Sequence, residues 1–432
     1  MAGKLAETIA KFLSEGIQIS SVADAVGKLS ALDWLACGLA GTSEPVSKIL
    51  HTSAVAEGGN PTANLFGGGG TSARMAALVN GTTSHALDYD DTHFAHIGHP
   101  SVAVYPAVFA MGQQLNRTLS EVLQAALIGM EVSVRIGLWL GRSHYQSGFH
   151  QTATAGAFGA GAAVGRLANF DETQMAQMLG LISSRAAGLK AQFGTMGKPY
   201  HAGLAAAAGV ESAQLIQAGF DANPNALEGE FGYGATHCGS NDSSTALKGL
   251  GEDWLFESVS HKFHACCHGL HAALEAAREL ELAAPEIAEL HVKTHPRWMS
   301  VCNQPAPDTG LGAKFSYRTV LAMSALGLDT ARLETYSDQI CQRPDLKKLR
   351  EIIFVEQDEK LTETEAVLCL TKRDGQRCEL RHDLQSKIDL SSREQRVRFK
   401  AQSLIGKTKA ELAWAMLHRD QPCSEFAGLF AG

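Results

Sequence analysis

Apolar residues recur three and four positions apart over most of the first 250 residues, which is the period of amphipathic helices. Representative stretches are AALVNGTTSHAL, LSEVLQAALIGMEVSVRIGLWLG and ETQMAQMLGLISSRAAGL. Asp171 precedes the last of these with the acidic side chain typical of a helix N-terminus. The many alanine and glycine residues favour helices that approach each other closely, so the pattern predicts a large helical bundle.

The pattern changes near Leu250 from the helical period to strand-like alternation. Three stretches predict strands: 289–295, 352–356 and 365–372. The last of them enters the turn RDGQ. The apolar face of such a sheet needs a cover, which predicted helices over 263–280 and 312–326 can supply. A helical pattern returns over 393–417.

These patterns predict a mainly α protein with a smaller α+β domain. A chain of 432 residues exceeds the size at which a single core grows comfortably, so two domains are expected. We place an all-helical domain at 1–255, joined by a C-terminal helix at about 400–432. The smaller α+β domain occupies 256–399.

Composition narrows the class of protein. The chain is 45% hydrophobic and 19% charged, which is typical of a soluble protein with a large core. The net charge of -8, without a cluster of lysine and arginine, argues against nucleic acid as a partner. Local cations in a cleft would still suffice for a small anionic substrate.

The N-terminal pattern, the length of the apolar runs and the cysteines predict the cellular location. MAGKLAETIAKFLSEG is an amphipathic helix pattern rather than the apolar core of a signal peptide. No uninterrupted apolar run approaches the roughly 20 residues that cross a bilayer, so no membrane association is expected. Nine cysteines without framework spacing favour a reducing compartment. We therefore expect a cytoplasmic protein.

A dense cluster of acids and imidazoles lies in ALDYDDTHFAHIGHPS. Its members are Asp88, Asp90, Asp91, His93, His96 and His99. HxxH spacing is compatible with a zinc site. However, Gly98 and Pro100 break any helix that would hold this spacing on one face. We favour an acid–base or substrate site, with a metal site or a structural loop as the alternatives.

Three further stretches combine a Gly/Pro-interrupted turn with a histidine or lysine beside small residues. They are HYQSGFHQTATAGAFGA (144–160), QFGTMGKPYHAG (192–203) and HKFHACCHGLHAA (261–273). Small residues let a helix N-terminus approach a carboxylate. Because Lys198 precedes Pro199, it is expected in an extended or turn conformation, from which its side chain can project into a cleft.

Taken in order, DYDDT…GHPS, GFHQTATAGAFGA, FGTMGKPYHAG and AKFS (313–316) resemble the MmgE/PrpD family over essentially the whole chain. That family includes 2-methylcitrate dehydratase, cis-aconitate decarboxylase and iminodisuccinate epimerase. The resemblance implies a large helical domain, a smaller α+β lid domain, a homodimer and an active site between the domains. It also implies no metal and no organic cofactor.

The resemblance assigns roles to particular residues. Those implied as catalytic are Asp88, His99, His150 and Lys198. Those implied as substrate-binding or neighbouring are Thr92, His201 and Lys314. The stretch HACCHGLH is richer in histidine than the family pattern, so His268 and His271 are further substrate-binding candidates, with a polar cluster at the entry of a helix as the favoured alternative. Asp90, Asp91, His93 and His96 are interpreted as loop and cap residues.

One position departs from the decarboxylase pattern. In those enzymes a tyrosine follows the FS of the last motif by three positions, whereas this chain has Thr319 there and Tyr317 two residues earlier. The sequence therefore favours an activity other than decarboxylation.

The family's reactions build negative charge at a carbon beside a carboxylate, which fixed cations and hydrogen-bond donors can stabilise without a metal. Lys198, with Lys314, can supply positive charge. His99 and His150 form the predicted acid–base pair, and Asp88 orients His99 or acts as a base itself. We predict a hydro-lyase acting on a small di- or tricarboxylate of the 2-methylcitrate type.

Other functions compete with this prediction. Epimerisation of an iminodisuccinate-like dicarboxylate fits the same motifs, as does decarboxylation of the cis-aconitate type. A metal-dependent hydrolase built on the Asp/His cluster and a carboxylate-binding protein without turnover belong to other classes. Neither of these last two accounts for the coincidence of four separated motifs.

Overall fold

The computed structural model describes residues 5–240 and 242–432, which form two compact units. The first unit runs to His261 and resumes at Val397, and the second is Lys262–Arg396. The sequence analysis expected a division after residue 255 and a return to the first domain near residue 400. The second division lies inside one helix, Leu390–Ile405.

The first unit is helical, as the 3.6-residue period predicts. Its helices before residue 261 are α1 (Leu5–Ser14), α2 (Ser21–Gly41), α3 (Pro45–Glu57), α4 (Ala73–His85), α5 (Ser101–Gln114), α6 (Leu119–Gln146), α7 (Gln151–Leu167), α8 (Glu172–Ile182), α9 (Gly197–Gln217), α10 (Tyr233–Thr236) and α11 (Ser244–Leu247). Two short strands, β1 (Ala63–Asn64) and β2 (Gly70–Thr71), form a hairpin between α3 and α4. Asp171 caps α8 with a reciprocal capping box, which confirms the predicted start of that helix.

The core of this unit is built by α4, α5, α6, α7 and α9, which pack on one another. Small residues set the separation of α4 from α9. A Cβ on Gly203 would lie 2.2 Å from the carbonyl oxygen of Leu78, and a Cβ on Gly81 would lie 2.8 Å from Gly203 Cα. Only glycine permits this approach, which brings the C-terminal end of α4 beside the N-terminal end of α9.

Helix α6 is long and apolar enough to cross a membrane by composition alone. Within its most apolar window, however, 89% of the residues are buried inside the protein. This burial is typical of the core helix of a soluble protein.

The second unit is α+β. Its elements are α12 (His271–Glu279), β3 (Ile287–Thr294), α13 (Pro296–Val301), α14 (Gly310–Ala313), α15 (Tyr317–Ala325), α16 (Asp338–Cys341), α17 (Pro344–Arg350), β4 (Ile353–Gln357), β5 (Glu365–Lys372) and β6 (Arg377–Asp383). Within the described residues these strands form a four-stranded sheet in the order β4-β3-β5-β6. Strands β3 and β4 are parallel, and the other two pairings are antiparallel.

Two features of the second unit differ from the sequence prediction. Strand β6 was not predicted, because RCELRHD is polar and its residues are half-buried or exposed. The helix expected from residue 263 begins only at His271, after non-helical residues and a short 3-10 turn at His268–Leu270. Helix α12 packs on β5 and β6, and α15 packs on β4, so the sheet is covered from both predicted helical regions.

The C-terminal segment forms α18 (Leu390–Ile405), α19 (Lys407–Met416) and α20 (Cys423–Ala427). Gly406, with φ of 80°, ends the first of these and divides the predicted single helix. Lys400 of α18 is buried in the first unit, where its ammonium lies 2.6 Å from Asp33 and donates to the carbonyl of Tyr89. From Val397 onward the segment therefore belongs to the helical unit.

Candidate active site

A tight turn at the end of α4 begins the site. His85 is the last residue of the helix, and the amide of Asp88 donates to its carbonyl at 3.1 Å. Asp88 has a left-handed backbone with φ of 51°, which aspartate tolerates better than most residues. This reversal returns the chain past the helix end and brings Asp90 against His85.

Asp90 lies between two imidazoles. Its Oδ1 is 2.8 Å from Nδ1 of His85, and its Oδ2 is 2.7 Å from Nδ1 of His99. Burial alone would raise the pKa of this inaccessible carboxyl, but attraction to His85 and His99 and their hydrogen bonds hold it well below the usual value. Asp90 is therefore ionised at neutral pH.

Asp88 joins His99 to a lysine. Its Oδ2 lies 2.6 Å from Nζ of Lys198, and its Oδ1 lies 3.4 Å from Nε2 of His99. The side chain of Asp88 is 47% exposed, whereas that of Lys198 is 19% exposed. This ion pair is the part of the cluster that solvent reaches most easily.

Lys198 is helical rather than in the extended or turn conformation that the sequence predicted, although it does not lie in the middle of a helix. It lies in the first turn of α9, which begins at Gly197. The following Pro199 is compatible with this position, because residues in the first turn of a helix have no intrahelical partner for their N–H groups. The side chain nevertheless reaches the acidic cluster.

His150 and His201 form a second pair of imidazoles, with their Nδ1 atoms 3.0 Å apart. His150 directly precedes α7, and His201 lies in α9. Burial lowers the pKa of His150 well below its usual value, and nearby His85 and Lys198 lower it further. The pKa of His201 is lowered by burial and by His85. Both rings are therefore neutral at pH 7.

The two groups of histidines are adjacent. The ring centroid of His85 lies 4.5 Å from that of His99 and 6.2 Å from that of His150. The loop that carries His99 is fixed to α7, because the amide of His99 donates to Oγ1 of Thr152 at 3.0 Å. A Cβ on Gly98 would lie 2.8 Å from the amide nitrogen of Thr152, so this contact requires glycine.

The structure thus brings together all four residues that the sequence assigned as catalytic. Of the residues assigned to substrate binding, His201 joins them and Thr92 forms an isolated bridge with Ser260. The other two lie in the second unit. There the ammonium of Lys314 lies 5.7 Å from the ring centroid of Tyr336, and the ring of His268 contacts His271 edge-on.

The interpretation of the remaining cluster residues as loop and cap residues needs one correction. Asp90 does lie in the loop between α4 and α5, but it is more than a loop residue, because its side chain is completely buried between two histidines. His93 and His96 have structural partners, the carbonyl of Leu255 and the hydroxyl of Ser133. Burial lowers the pKa of these two imidazoles to about 4 and about 3.

Asp91 likewise points into the protein rather than to solvent and contacts Ser101 at 2.5 Å. Burial and the charge of Asp33 raise the pKa of the Asp91 carboxyl to about 7.

His85 was missed by the sequence analysis. It lies three residues before DYDD, at the end of a segment interpreted only as a helix. A histidine in the last turn of a helix, followed within five residues by an aspartate after a turn, is a signal that could have marked it. The signal is weak, since it depends on the left-handed turn at Asp88.

Four donors could approach a single cation: His85, Asp88, Asp90 and His99, whose ligand atoms lie within 4.8 Å of one another. In this arrangement, however, both imidazole Nδ1 atoms face Asp90, and Asp88 faces the ammonium of Lys198. A divalent cation would have to displace these contacts. The arrangement is satisfied by protons and lysine, so we assign no metal to it.

Comparison with family models gives two matches along the chain. Residues 4–246 match the MmgE/PrpD N-terminal domain, and residues 264–408 match the MmgE/PrpD C-terminal domain. The chain belongs to the MmgE/PrpD family. This membership confirms the family resemblance and the mainly α architecture with a smaller α+β domain.

Curated relatives of this MmgE/PrpD protein are cis-aconitate decarboxylases. The Aspergillus terreus enzyme is 26% identical over 77% of this chain and 74% of its own length. The Mus musculus enzyme is 27% identical over 79% of this chain and 73% of its own length. The Homo sapiens enzyme is 29% identical over 57% of this chain and 53% of its own length. Together with the family models, these relatives identify the chain as an enzyme of lyase type.

Proposed function

We propose that this protein is a cofactor-independent lyase of small tricarboxylates, and that it dehydrates a hydroxy acid of the 2-methylcitrate type. The observation that carries the proposal is the juxtaposition of a cation with two separate imidazole groups. Lys198 and His99 meet at Asp88, while His150 pairs with His201. Dehydration needs these three functions: a charge partner, a base and an acid.

In this reaction a proton leaves the carbon beside a carboxylate, and a hydroxyl leaves the neighbouring carbon. The electron pair of the C–H bond becomes the new C=C bond, and the hydroxyl departs as water after receiving a proton. Negative charge builds on the carboxylate during the step, and a fixed ammonium stabilises it. Lys198 is the group that we assign to this carboxylate.

His150 is the proposed base. Burial keeps its imidazole neutral at pH 7, and a neutral imidazole can accept a proton. His99 is the proposed acid, because the adjacent carboxylates of Asp88 and Asp90 stabilise its protonated form. Thr92, His201, Lys314 and His268 stay proposals for substrate binding.

Decarboxylation of a cis-aconitate-like acid is the second candidate. It is favoured by the relatives from Aspergillus terreus, Mus musculus and Homo sapiens, which are cis-aconitate decarboxylases. The tyrosine expected for that activity is replaced by Thr319, which is completely buried and accepts from Ser316 at 2.9 Å. Tyr317 is also buried and donates to the carbonyl of Gly269, so the proposal gives neither residue the role of that tyrosine.

One substrate separates the two candidates. Purified protein would be incubated with cis-aconitate in the presence of EDTA, and products would be followed by proton NMR and mass spectrometry. A dehydratase working in reverse adds the elements of water to the alkene, whereas a decarboxylase releases carbon dioxide. A parallel incubation with 2-methylcitrate should give a new alkene signal. If neither acid reacts, the proposed lyase activity is wrong.

Two further properties belong to the same proposal. We expect a homodimer and a cytoplasmic location, as the family resemblance and the composition suggest. Sedimentation of the purified chain tests the first, and fractionation of cells that produce it tests the second.

A further inference from the structure

Asp90 is the central member of a row of side chains that are joined by polar contacts. One carboxylate oxygen faces Nδ1 of His85 and the other faces Nδ1 of His99, both within 2.8 Å. None of the three side chains is more than 9% exposed. On the more exposed side of the cluster, His99 lies near Asp88, and Asp88 pairs with Lys198.

This arrangement dictates where the hydrogens lie. An ionised carboxylate only accepts hydrogen bonds, so Nδ1 of His85, which is hydrogen-bonded to it, must carry a hydrogen. Nδ1 of His99 lies 2.7 Å from Oδ2 in an ion contact without hydrogen-bond geometry. At that distance a hydrogen on Nδ1 is still required, because otherwise two lone pairs would face each other. When neutral, His85 and His99 therefore have Nε2 as their basic nitrogen. For His99, that nitrogen faces Asp88, from which the ion pair with Lys198 begins.

Asp90 and Asp88 differ as partners of His99. Asp90 is closer, at 2.7 Å against 3.4 Å, and it is inaccessible to solvent. Asp88 is half-exposed and shares its carboxylate with Lys198. A carboxylate that must exchange places with a substrate anion is a poor fixed support, whereas a buried one with two donors is rigid.

His85 completes the support from the other side. Within the described part of the chain, its Nε2 is buried and has no hydrogen-bond partner. The hydrogen bond to Asp90 is therefore the polar contact that orients the ring. In return, His85 fixes the second oxygen of Asp90, so that the carboxylate cannot rotate away from His99.

We infer that Asp90 and His85 are positioning residues, which hold His99 as the Nδ1–H tautomer with Nε2 directed to the reacting side. The assignment deepens the proposed function, since His99 is the proposed acid. Neither residue is assigned a contact with substrate. Together the three side chains form a buried His–Asp–His support that replaces the orienting role given to Asp88 from the sequence.

The first test uses the intact protein without substrate. Protein with 15N-labelled histidine would be studied by a long-range 1H–15N correlation experiment. This experiment links the carbon-bound hydrogens of each imidazole ring to both ring nitrogens. The signals of His85 and His99 are assigned by their loss in His85→Gln and His99→Gln. We expect the Nδ1 of each ring to be protonated throughout the pH range in which the protein is folded. An Nε2–H tautomer for neutral His99 would overturn the inference.

The second test uses a matched pair of variants. In Asp90→Asn the amide keeps one accepting oxygen but presents an N–H group to the other ring, which must then change tautomer. We expect kcat to fall by about 10²–10⁴-fold, the scale of a wrongly held imidazole, while KM changes little. Asp91→Asn is the control, because Asp91 is equally buried and contacts Ser101 instead. It should leave the His99 nitrogen signals unchanged.

A third comparison tests His85 itself. His85→Asn keeps an N–H donor near the position of Nδ1, whereas His85→Phe removes it. We expect His85→Asn to recover much of the kcat lost in His85→Phe, with thermal unfolding showing that both are folded. Equal losses in the two variants, or wild-type kcat in Asp90→Asn, would overturn the inference.

These outcomes are distinct from failure of the proposed function. If the wild-type protein turns over neither cis-aconitate nor 2-methylcitrate, the lyase proposal fails. The tautomers of His85 and His99 in the unliganded protein still decide whether Asp90 holds both rings as inferred.

Discussion

The Nδ1 atoms of His150 and His201 lie 3.0 Å apart, a distance at which one ring donates and the other accepts. If both rings of this pair were protonated, two imidazolium cations would be in contact inside the protein. Burial already lowers the pKa of both imidazoles, and His85 lowers both further. The pair is therefore a neutral unit suited to accept one proton during catalysis.

This relationship predicts the acid side of the pH–rate profile. If neutral His150 is the base, kcat/KM should decline on acidification only below pH 6.5, the usual pKa of histidine. The charged or titratable groups that oppose protonation of His150 are His85, Lys198, His99 and His201. The measurement is kcat/KM against pH with cis-aconitate or 2-methylcitrate.

The control for this profile is Asp91→Asn. The Asp91 carboxyl has a pKa raised to about 7 and titrates in the same region, so the variant should keep the acid limb where the wild type has it. An acid limb centred at or above pH 6.5 in both proteins would contradict the assignment of His150 as a buried neutral base.

Lys198→Met should impair both binding and turnover. The ammonium lies 2.6 Å from Asp88, and we assign it to the substrate carboxylate whose charge grows in the reaction. Loss of such an electrostatic contact is expected to lower kcat/KM by about 10²–10³-fold. Steady-state kinetics on the purified variant provides the measurement.

Lys190→Met is the matched control. Lys190 precedes the same helix by a few residues, but its ammonium donates to the carbonyl of Tyr145 and lies 3.8 Å from the centroid of that ring. We expect kcat/KM within about threefold of wild type, because the substitution leaves the ion pair between Asp88 and Lys198 in place. Equal losses in the two variants would show that the effect of Lys198→Met is not specific.

The sequence was sufficient for the coarse fold because the helical period and the strand alternation are long and regular. The prediction from the sequence failed where the structure depends on a few residues rather than on a long periodic pattern. Strand β6 has no apolar face, and the extended region before α12 was hidden by a helix-like composition. Lys198 was misplaced because the extended backbone of a residue before proline is only a preference, which the first turn of α9 overrides.

The family motifs identified four residues of the site, and these lie close together in the structure: Asp88, His99, His150 and Lys198. The buried contacts of His85 and Asp90 could not be predicted in the same way. They depend on the left-handed turn after α4 and on the close contact of Gly98 with α7. A single sequence does not show which of several neighbouring acids turns inward.

Removal of divalent metal should leave activity unchanged. The four side chains that could approach one cation are already engaged with one another or with Lys198. We expect the same kcat/KM before and after dialysis against EDTA, with metal content checked by mass spectrometry. Loss of activity that returns on addition of zinc or manganese would favour the metal-dependent alternative.

His96 should make the protein less stable in acid. Its pKa is lowered by burial to about 3 in the folded state, below the usual 6.5 of an unfolded histidine. The unfolded chain therefore binds a proton that the folded chain does not, so stability is lost as pH falls below 6.5. Between pH 7 and pH 5 this amounts to about 2 kcal/mol in the free energy of unfolding.

The variant His96→Gln isolates this contribution. Its free energy of unfolding, from urea titrations at pH 7 and pH 5, should vary by about 2 kcal/mol less than that of the wild type. His418→Gln, at an exposed histidine, is the control and should retain the wild-type variation. An unchanged difference in His96→Gln would show that His96 is not held neutral by burial.

The buried ion pair between Lys400 and Asp33 should be the strongest single electrostatic support of the C-terminal segment. Both side chains are 1% exposed, and the ammonium also donates to the carbonyl of Tyr89, which lies between Asp88 and Asp90 in the chain.

Lys400→Met removes one charge and leaves the other buried. We expect a loss of about 3–5 kcal/mol in the free energy of unfolding, measured by urea titration at pH 7. The double variant Asp33→Asn, Lys400→Met removes both charges of the pair and should be more stable than Lys400→Met alone. If the double variant were the less stable of the two, the uncompensated carboxylate could not be the cause of the loss.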